Sequence, residues 1–224
     1  MFERKLRCAW RLCLPFTALL AFPATLALGR AGQSATSSPP TTASYDQVVK
    51  KLQGGDLSVD FADLRMKYAA SPQYEPEEGS AEAKDMYGKL NAKDYEGALK
   101  AANAVLEKQY VNIDAHVVAS AAYEGLRDDA AAKLHHDIVV GLVRSVLDSG
   151  QGTSTATAYK VISVGEEYAL MRVLGFRPGK QSYLHEGKRS YDEMEMVNLK
   201  DNSTMTRYFD VTLSDEHMEK SLRH

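Results

Sequence analysis

Apolar residues recur at helical spacing through the middle of the chain and at alternate positions toward its end, so helices followed by strands are expected. "YDQVVKKL", beginning at Tyr45, predicts a helix that breaks at Gly54-Gly55. In "SVDFADLRMKYAASPQYEP" the residues Phe61, Leu64, Met66 and Tyr68 fall near helical spacing, Asp60 can cap the start, and Pro72 and Pro76 stop it. Farther on, Leu134, Ile138, Leu142 and Val146 form one stripe that Val139 and Val143 widen. After "SGQGTSTAT" the period shortens to two, and "AYKVISV" predicts a strand. Ser163 with Glu166 makes a capping box for a short helix, "EEYALMRVL", which Gly175 ends. The segment from Lys180 to Leu213 predicts three strands, parted by turn signals at Glu186-Gly187 and Asp201-Asn202, hence an antiparallel meander. On its third strand Met205, Phe209, Val211 and Leu213 share a face, with Arg207 the misfit, and Ser214 is expected to cap a terminal helix, "DEHMEKSL".

Between these regions lies "KDYEGALKAANAVLEKQYVNIDAHVVASAAYEGLRDDAAAKLHH", which repeats itself. Asp94 and Asp128 stand 34 residues apart, as do Ala98 and Ala132, and 34 is the tetratricopeptide period. The resemblance is partial: His116 stands where that repeat usually has tryptophan, Ala119 replaces its leucine, Ser120 its glycine, and the closing prolines are missing, with Tyr110 and Arg144 in their places. Alanine and serine on the contact rows let helices approach closely, and Tyr95 and Tyr123 fill the space between them. Two such units leave their outer faces uncovered. One end is expected to be covered by the helix of residues 58–70 and the other by whatever follows Gly150.

The N-terminus predicts export. Arg4, Lys5, Arg7 and Arg11 precede an apolar stretch over residues 12–28, broken by Pro15 and Pro23, and small residues follow, which is the build of a secretory signal peptide with cleavage near Gly29 or Ala31. Both cysteines, Cys8 and Cys13, would leave with it, so thiol chemistry is not expected of the mature chain. The 27 Lys and Arg and 30 Asp and Glu lose five basic residues and one acidic one, leaving a net charge of −7. An acidic chain without a basic stripe argues against nucleic acid as partner. Residues 32–44, rich in Ser, Thr and Pro, read as a disordered linker, and no membrane span is expected in the mature chain. The expected domains are thus a helical hairpin region over 45–149 and an α+β region over 150–224 packed on it.

"DFADLRMKY" with "SPQY", "DYEGALKAAN", "YVNIDAH", "HHDIVVGLVRSVLDSG", "GTSTATAYKVISVGEEY" and "SYDEMEMVN" together resemble a bacterial exported family, domain of unknown function 4919, over most of residues 60–198. The resemblance implies an exported α+β protein, with helical hairpins and an α/β tail, and carries over no catalytic residue. The expected fold is therefore α+β: tetratricopeptide-like antiparallel hairpins, then a small antiparallel β-sheet with one short helix and a C-terminal helix.

Candidate chemistry is sparse. His135 and His136 are adjacent on a helix and point about 100° apart, unsuited to one metal ion. His116 reads as a packing histidine unless a carboxylate such as Asp114 or Glu124 approaches it. Glu166 and Glu167 could pair as acid and base, but capping and the helix dipole already account for acids in a first turn. Tyr183, Tyr191 and Tyr208 could form an aromatic surface, although sheets favour such residues anyway. "SGQGTSTAT" lacks the Gly-Lys-Ser/Thr ending of a phosphate loop, and neither a hydrolase elbow nor a zinc-protease helix is found. The expected function is a non-catalytic binding or scaffold module for a peptide or envelope protein, without cofactor or metal, using His116, Tyr123, Arg172, Tyr191 and Asp192. The alternative is a small hydrolase or ligand-binding enzyme with a pocket at the helix-sheet junction, holding His116, Arg172, Glu166 or Asp192.

Overall fold

Ser44 opens the first helix with a full capping box: its hydroxyl accepts from Gln47 N while the Gln47 side chain accepts from Ser44 N. The computed structural model describes residues 43–76 and 80–223; the expected signal peptide and residues 32–42 of the expected linker lie outside the described residues. Helices α1 (Tyr45–Gln53) and α2 (Phe61–Ala69) are followed by α3 (Ser80–Asn91), α4 (Tyr95–Lys108), α5 (Ile113–Gly125) and α6 (Asp129–Leu147). A two-residue strand β1 (Tyr159–Lys160) and α7 (Val164–Leu174) precede β2 (Phe176–Glu186), β3 (Arg189–Asn198) and β4 (Thr204–Asp210), and α8 (Thr212–Ser221) closes the described chain. The fold is α+β, with successive helices packed as antiparallel hairpins, then the sheet, then the C-terminal helix.

The 34-residue spacing has a local structural counterpart. Lys93 and Arg127 both adopt left-handed backbone, with φ of 59° and 64°. Each is followed by a capping aspartate, Asp94 on Gly97 N and Asp128 on Ala131 N. The turn hydrogen bonds correspond too, Asp94 N to Lys89 O and Asp128 N to Tyr123 O, each closing the preceding helix from three residues beyond its end. Close approach follows from small residues, since Ala98, Ala102, Ala115, Ala119 and Ala122 are buried between α4, α5 and α6. At Gly125 a Cβ would lie 2.6 Å from the Tyr95 ring, so the glycine hydrogen is what admits that tyrosine.

On α2 the inward stripe is Phe61, Leu64, Arg65 and Tyr68, at positions i, i+3, i+4 and i+7, whereas Met66 is exposed. The core therefore takes an arginine where the pattern predicts methionine. The helix starts at Phe61 behind the Asp60 cap, which accepts from Ala62 N and Asp63 N, rather than at residue 58.

The sheet runs β1-β4-β3-β2. β2, β3 and β4 form the expected antiparallel meander, but β1 adds to β4 in parallel, pairing Tyr159 with Phe209 and Lys160 with Asp210, so the sheet is mixed. "AYKVISV" yields only two strand residues, because Val161 and Ile162 turn into the core and Ser163 already caps α7. The third strand ends at Asp210: Val211 is the N-cap of α8, and Leu213 lies exposed on that helix instead of sharing the strand's buried face. Ser214 does not cap. It is buried inside the first turn, and its hydroxyl donates to Val211 O.

Cross-strand pairing sorts the tyrosines. Tyr183 opposes Asp192, which opposes Phe209, so these three share the core face, while Tyr191 and Tyr208 belong to the other. The pleat therefore splits the expected aromatic surface Tyr183, Tyr191 and Tyr208.

A candidate binding cleft where the helices meet the sheet

Helix α7 organises the site. Ser163 caps it by accepting from Glu166 N at 3.1 Å, but the Glu166 carboxylate does not return to the cap. It reaches across to α2 instead, where Arg65 Nε and Nη2 donate to its two oxygens, both at 2.6 Å. The same guanidinium donates to Lys160 O at 2.7 Å, and Glu166 Oε2 accepts from Ile162 N at 2.9 Å. Arg65 is 1% exposed. One arginine thus ties α2, β1 and α7 together. The half-formed capping box corrects the expectation that capping accounts for Glu166.

A cleft of about 820 Å³ opens along the exposed side of α7, between the start of α5, the segment before α3, the core face of β2 and β3, and α8. Its wall on the helical side is a locked triad. Arg172 donates from Nε to Asp114 Oδ1 at 3.0 Å and from Nη2 to Oδ2, Tyr87 donates its hydroxyl to Asp114 Oδ1 at 2.8 Å, and the guanidinium lies 5.9 Å from the Tyr87 ring centre. Burial, then the Asp114 charge, raises the Tyr87 hydroxyl above its usual range. On the sheet side the Tyr168 hydroxyl donates to Gln181 Oε1 at 3.0 Å, and Gln181 Nε2 donates to Asp192 Oδ2 at 2.7 Å. Near the rim Ser190 Oγ and the Tyr183 hydroxyl both approach Asp215 Oδ2, at 2.5 and 2.8 Å. Apolar surface from Val111, Ile113, Ile162, Val164, Ala169 and Val211 fills in between these polar groups.

Of the expected binding residues, Arg172 and Asp192 come together here. His116 and Tyr123 do not line the cleft; they form a separate cluster under α5 and α6. His116 Nε2 lies 2.8 Å from Tyr110 O and its Nδ1 lies 2.8 Å from His135 Nδ1. A carbonyl only accepts, so His116 carries its proton on Nε2, its Nδ1 accepts, and His135 donates from Nδ1. The Tyr123 ring stacks on His135 at 5.5 Å. Among the described residues no carboxylate hydrogen-bonds to His116: Asp114 faces Arg172, and the side-chain partner of His116 is a second histidine. Burial drives His116 down to about 3, with the Tyr110 contact opposing and His135 adding to the shift. Tyr191 is buried on the opposite face of the sheet from Asp192 and lies outside the cleft lining. Among the described residues no group of three or more His, Cys, Asp or Glu is placed to hold a metal ion, and no helix is long and apolar enough to cross a membrane.

Six contributors escaped the pattern reading: Arg65, Tyr87, Tyr168, Gln181, Ser190 and Asp215. For Arg65 a signal exists in its position on the apolar stripe of α2. The others carry no local signal, because each acts through a partner distant in sequence.

Glu167 stands apart. It is 0% exposed, and among the described residues neither carboxyl oxygen has a hydrogen-bond partner. Burial, then the charges of Asp192 and Glu166, pushes its carboxyl well above the ordinary range. Between the unfolded value near 4.5 and the raised folded value, the native state holds a proton that the unfolded chain has lost, so stability falls as pH rises through that window. Glu167→Gln cannot ionise, and its unfolding free energy relative to wild type is expected to improve from pH 4 to pH 8. Urea titrations at both pH values check this; a constant difference would show that Glu167 titrates normally.

A helical-hairpin α+β protein with a polar-walled cleft at the junction of helices and sheet is the class these features define. A family model described as "Domain of unknown function (DUF4919)" matches residues 37–220, and the chain belongs to that family. No curated protein and no solved structure matches it.

Proposed function

We propose that this is an exported, non-catalytic binding protein whose cleft along α7 takes a short peptide segment, such as an exposed stretch of an envelope protein. The observation that carries this reading is the cleft itself: about 820 Å³, apolar between a few oriented polar groups, within the size range of ligand sites. The polar groups support binding over turnover, because they are held by one another. Asp114 is clamped by Arg172 and Tyr87, Glu166 by Arg65, and the Ser163 and Ser214 hydroxyls are engaged in helix-end hydrogen bonds. Fixed donors and acceptors keep the ordering cost of binding low.

Val164, exposed at the start of α7, lines the cleft, so Val164→Trp should fill it without disturbing the core. Heptapeptides selected on the purified protein are expected to bind the Val164→Trp variant at least about tenfold more weakly, a loss of about 1.4 kcal/mol. Peptides that bind both proteins equally would place recognition elsewhere and reject the cleft.

A further inference from the structure

We infer that the segment held in the cleft carries a cationic side chain, a lysine ammonium or arginine guanidinium, whose head group is received by Asp192 between Tyr168 and Tyr183. The inference rests on the peptide reading above and adds the chemistry of the ligand.

The argument is a charge inventory of the cleft wall. Among the described residues its acids are Glu75, Asp114, Glu166, Asp192 and Asp215, and its cations are Lys84 and Arg172. Arg172 is consumed by Asp114, and Glu166 is neutralised from behind by Arg65. That leaves Glu75, Asp192 and Asp215 against Lys84. On the sheet side the imbalance is complete, since the hydrogen bonds reaching Asp192 and Asp215 come from the neutral groups Gln181, Tyr183 and Ser190.

Three further features favour a cation over a neutral ligand. Asp192 is 4% exposed and lies at the floor, so an opposite charge meeting it would be partly withdrawn from water, where attraction is stronger than at an open surface. Glu167, buried near Asp192 and without a hydrogen-bond partner among the described residues, brings no positive charge to the floor, so the Asp192 carboxylate is not compensated from that side. Tyr168 and Tyr183 line the cleft on either side, and aromatic rings attract cations. Tyr183, 57% exposed, stands at the rim, where a long aliphatic stem can lie along it while its charged head reaches inward. Gln181 is oriented by Tyr168 so that its amide nitrogen points at Asp192, leaving the carboxylate fixed before a ligand arrives.

The test uses N-acetylated, C-amidated heptapeptide pools, otherwise randomised, that differ only in a central lysine, glutamine or glutamate. Calorimetric titration of the purified protein is expected to show the lysine pool binding at least about tenfold more tightly than the other two, the scale of a desolvated charge pair. Asp192→Asn should bring the lysine and glutamine pools to within about twofold of each other, the carboxylate having been the source of discrimination. Asp215→Asn, at the rim, should narrow the gap less, and serves if Asp192→Asn fails to fold. Equal binding of all three pools, still abolished by Val164→Trp, would overturn the cationic ligand and leave the peptide site standing. If no pool binds, the peptide reading falls, and this inference with it.

Discussion

Arg65→Ala is expected to lower the unfolding free energy by about 3–5 kcal/mol, the range for removing one partner of a buried ion pair. The reason is what remains rather than what is lost. Arg65 satisfies both oxygens of Glu166 at 2.6 Å and also donates to Lys160 O, with the two charged side chains 2% and 4% exposed. Without it Glu166 is a buried carboxylate beside Glu167, which is itself buried without a hydrogen-bond partner among the described residues. The double variant Arg65→Met with Glu166→Gln should recover much of the loss, because the glutamine keeps an acceptor for Ile162 N while no charge is stranded. Urea denaturation of the two variants measures both effects. A loss under about 1 kcal/mol for Arg65→Ala, the worth of an exposed pair, would mean that water reaches the pair in solution. Because Arg65 joins α2 to α7, the same substitution should also weaken whatever the cleft binds.

Acid should unfold the protein, through His116. An ordinary histidine titrates near 6.5, but this one is held at about 3 in the folded state, chiefly by burial. Protonating Nδ1 would set a second donor against the N–H that His135 presents, in a fully buried site. Below pH 6.5 the unfolded chain therefore binds a proton that the native chain refuses, and stability present at neutral pH is lost as pH falls toward 3. A fall from 6.5 to about 3 amounts to about 5 kcal/mol at the acid end, comparable with the whole stability of many domains. By pH 4 the loss is about 3 kcal/mol. Glu167 works in the opposite direction over part of this range, so the contribution of His116 is read from a difference. His116→Gln retains a donor for Tyr110 O and cannot take up a proton; its stability relative to wild type should improve steadily from pH 7 to pH 4. Parallel curves for the two proteins would show that His116 is accessible to solvent.

The sequence by itself determined the helices and the meander of the α+β fold, because each rests on local periodicity and local caps. Ser44, Asp60, Asp94, Asp128 and Ser163 all cap where they stand, Gly175 ends α7 with φ at 82°, and Lys93 and Arg127 repeat the same turn 34 residues apart. Family membership was legible for the same reason, its motifs being runs of neighbouring residues. Only the tertiary structure decided which polar groups meet. Glu166 is separated from Arg65 by 101 residues and Arg172 from Asp114 by 58, and the capping rule that reads Glu166 correctly for its backbone says nothing about where its carboxylate goes. Pairing across the sheet, which no single strand encodes, put Asp192 and Tyr183 on the cleft face and sent Tyr191 to the other. His116 looked like a packing residue and is buried, but its partner, His135, lies on the next helix. Periodicity reports which face of an element is buried; the chemistry of a site depends on what the other buried faces bring to it, and that is set by packing.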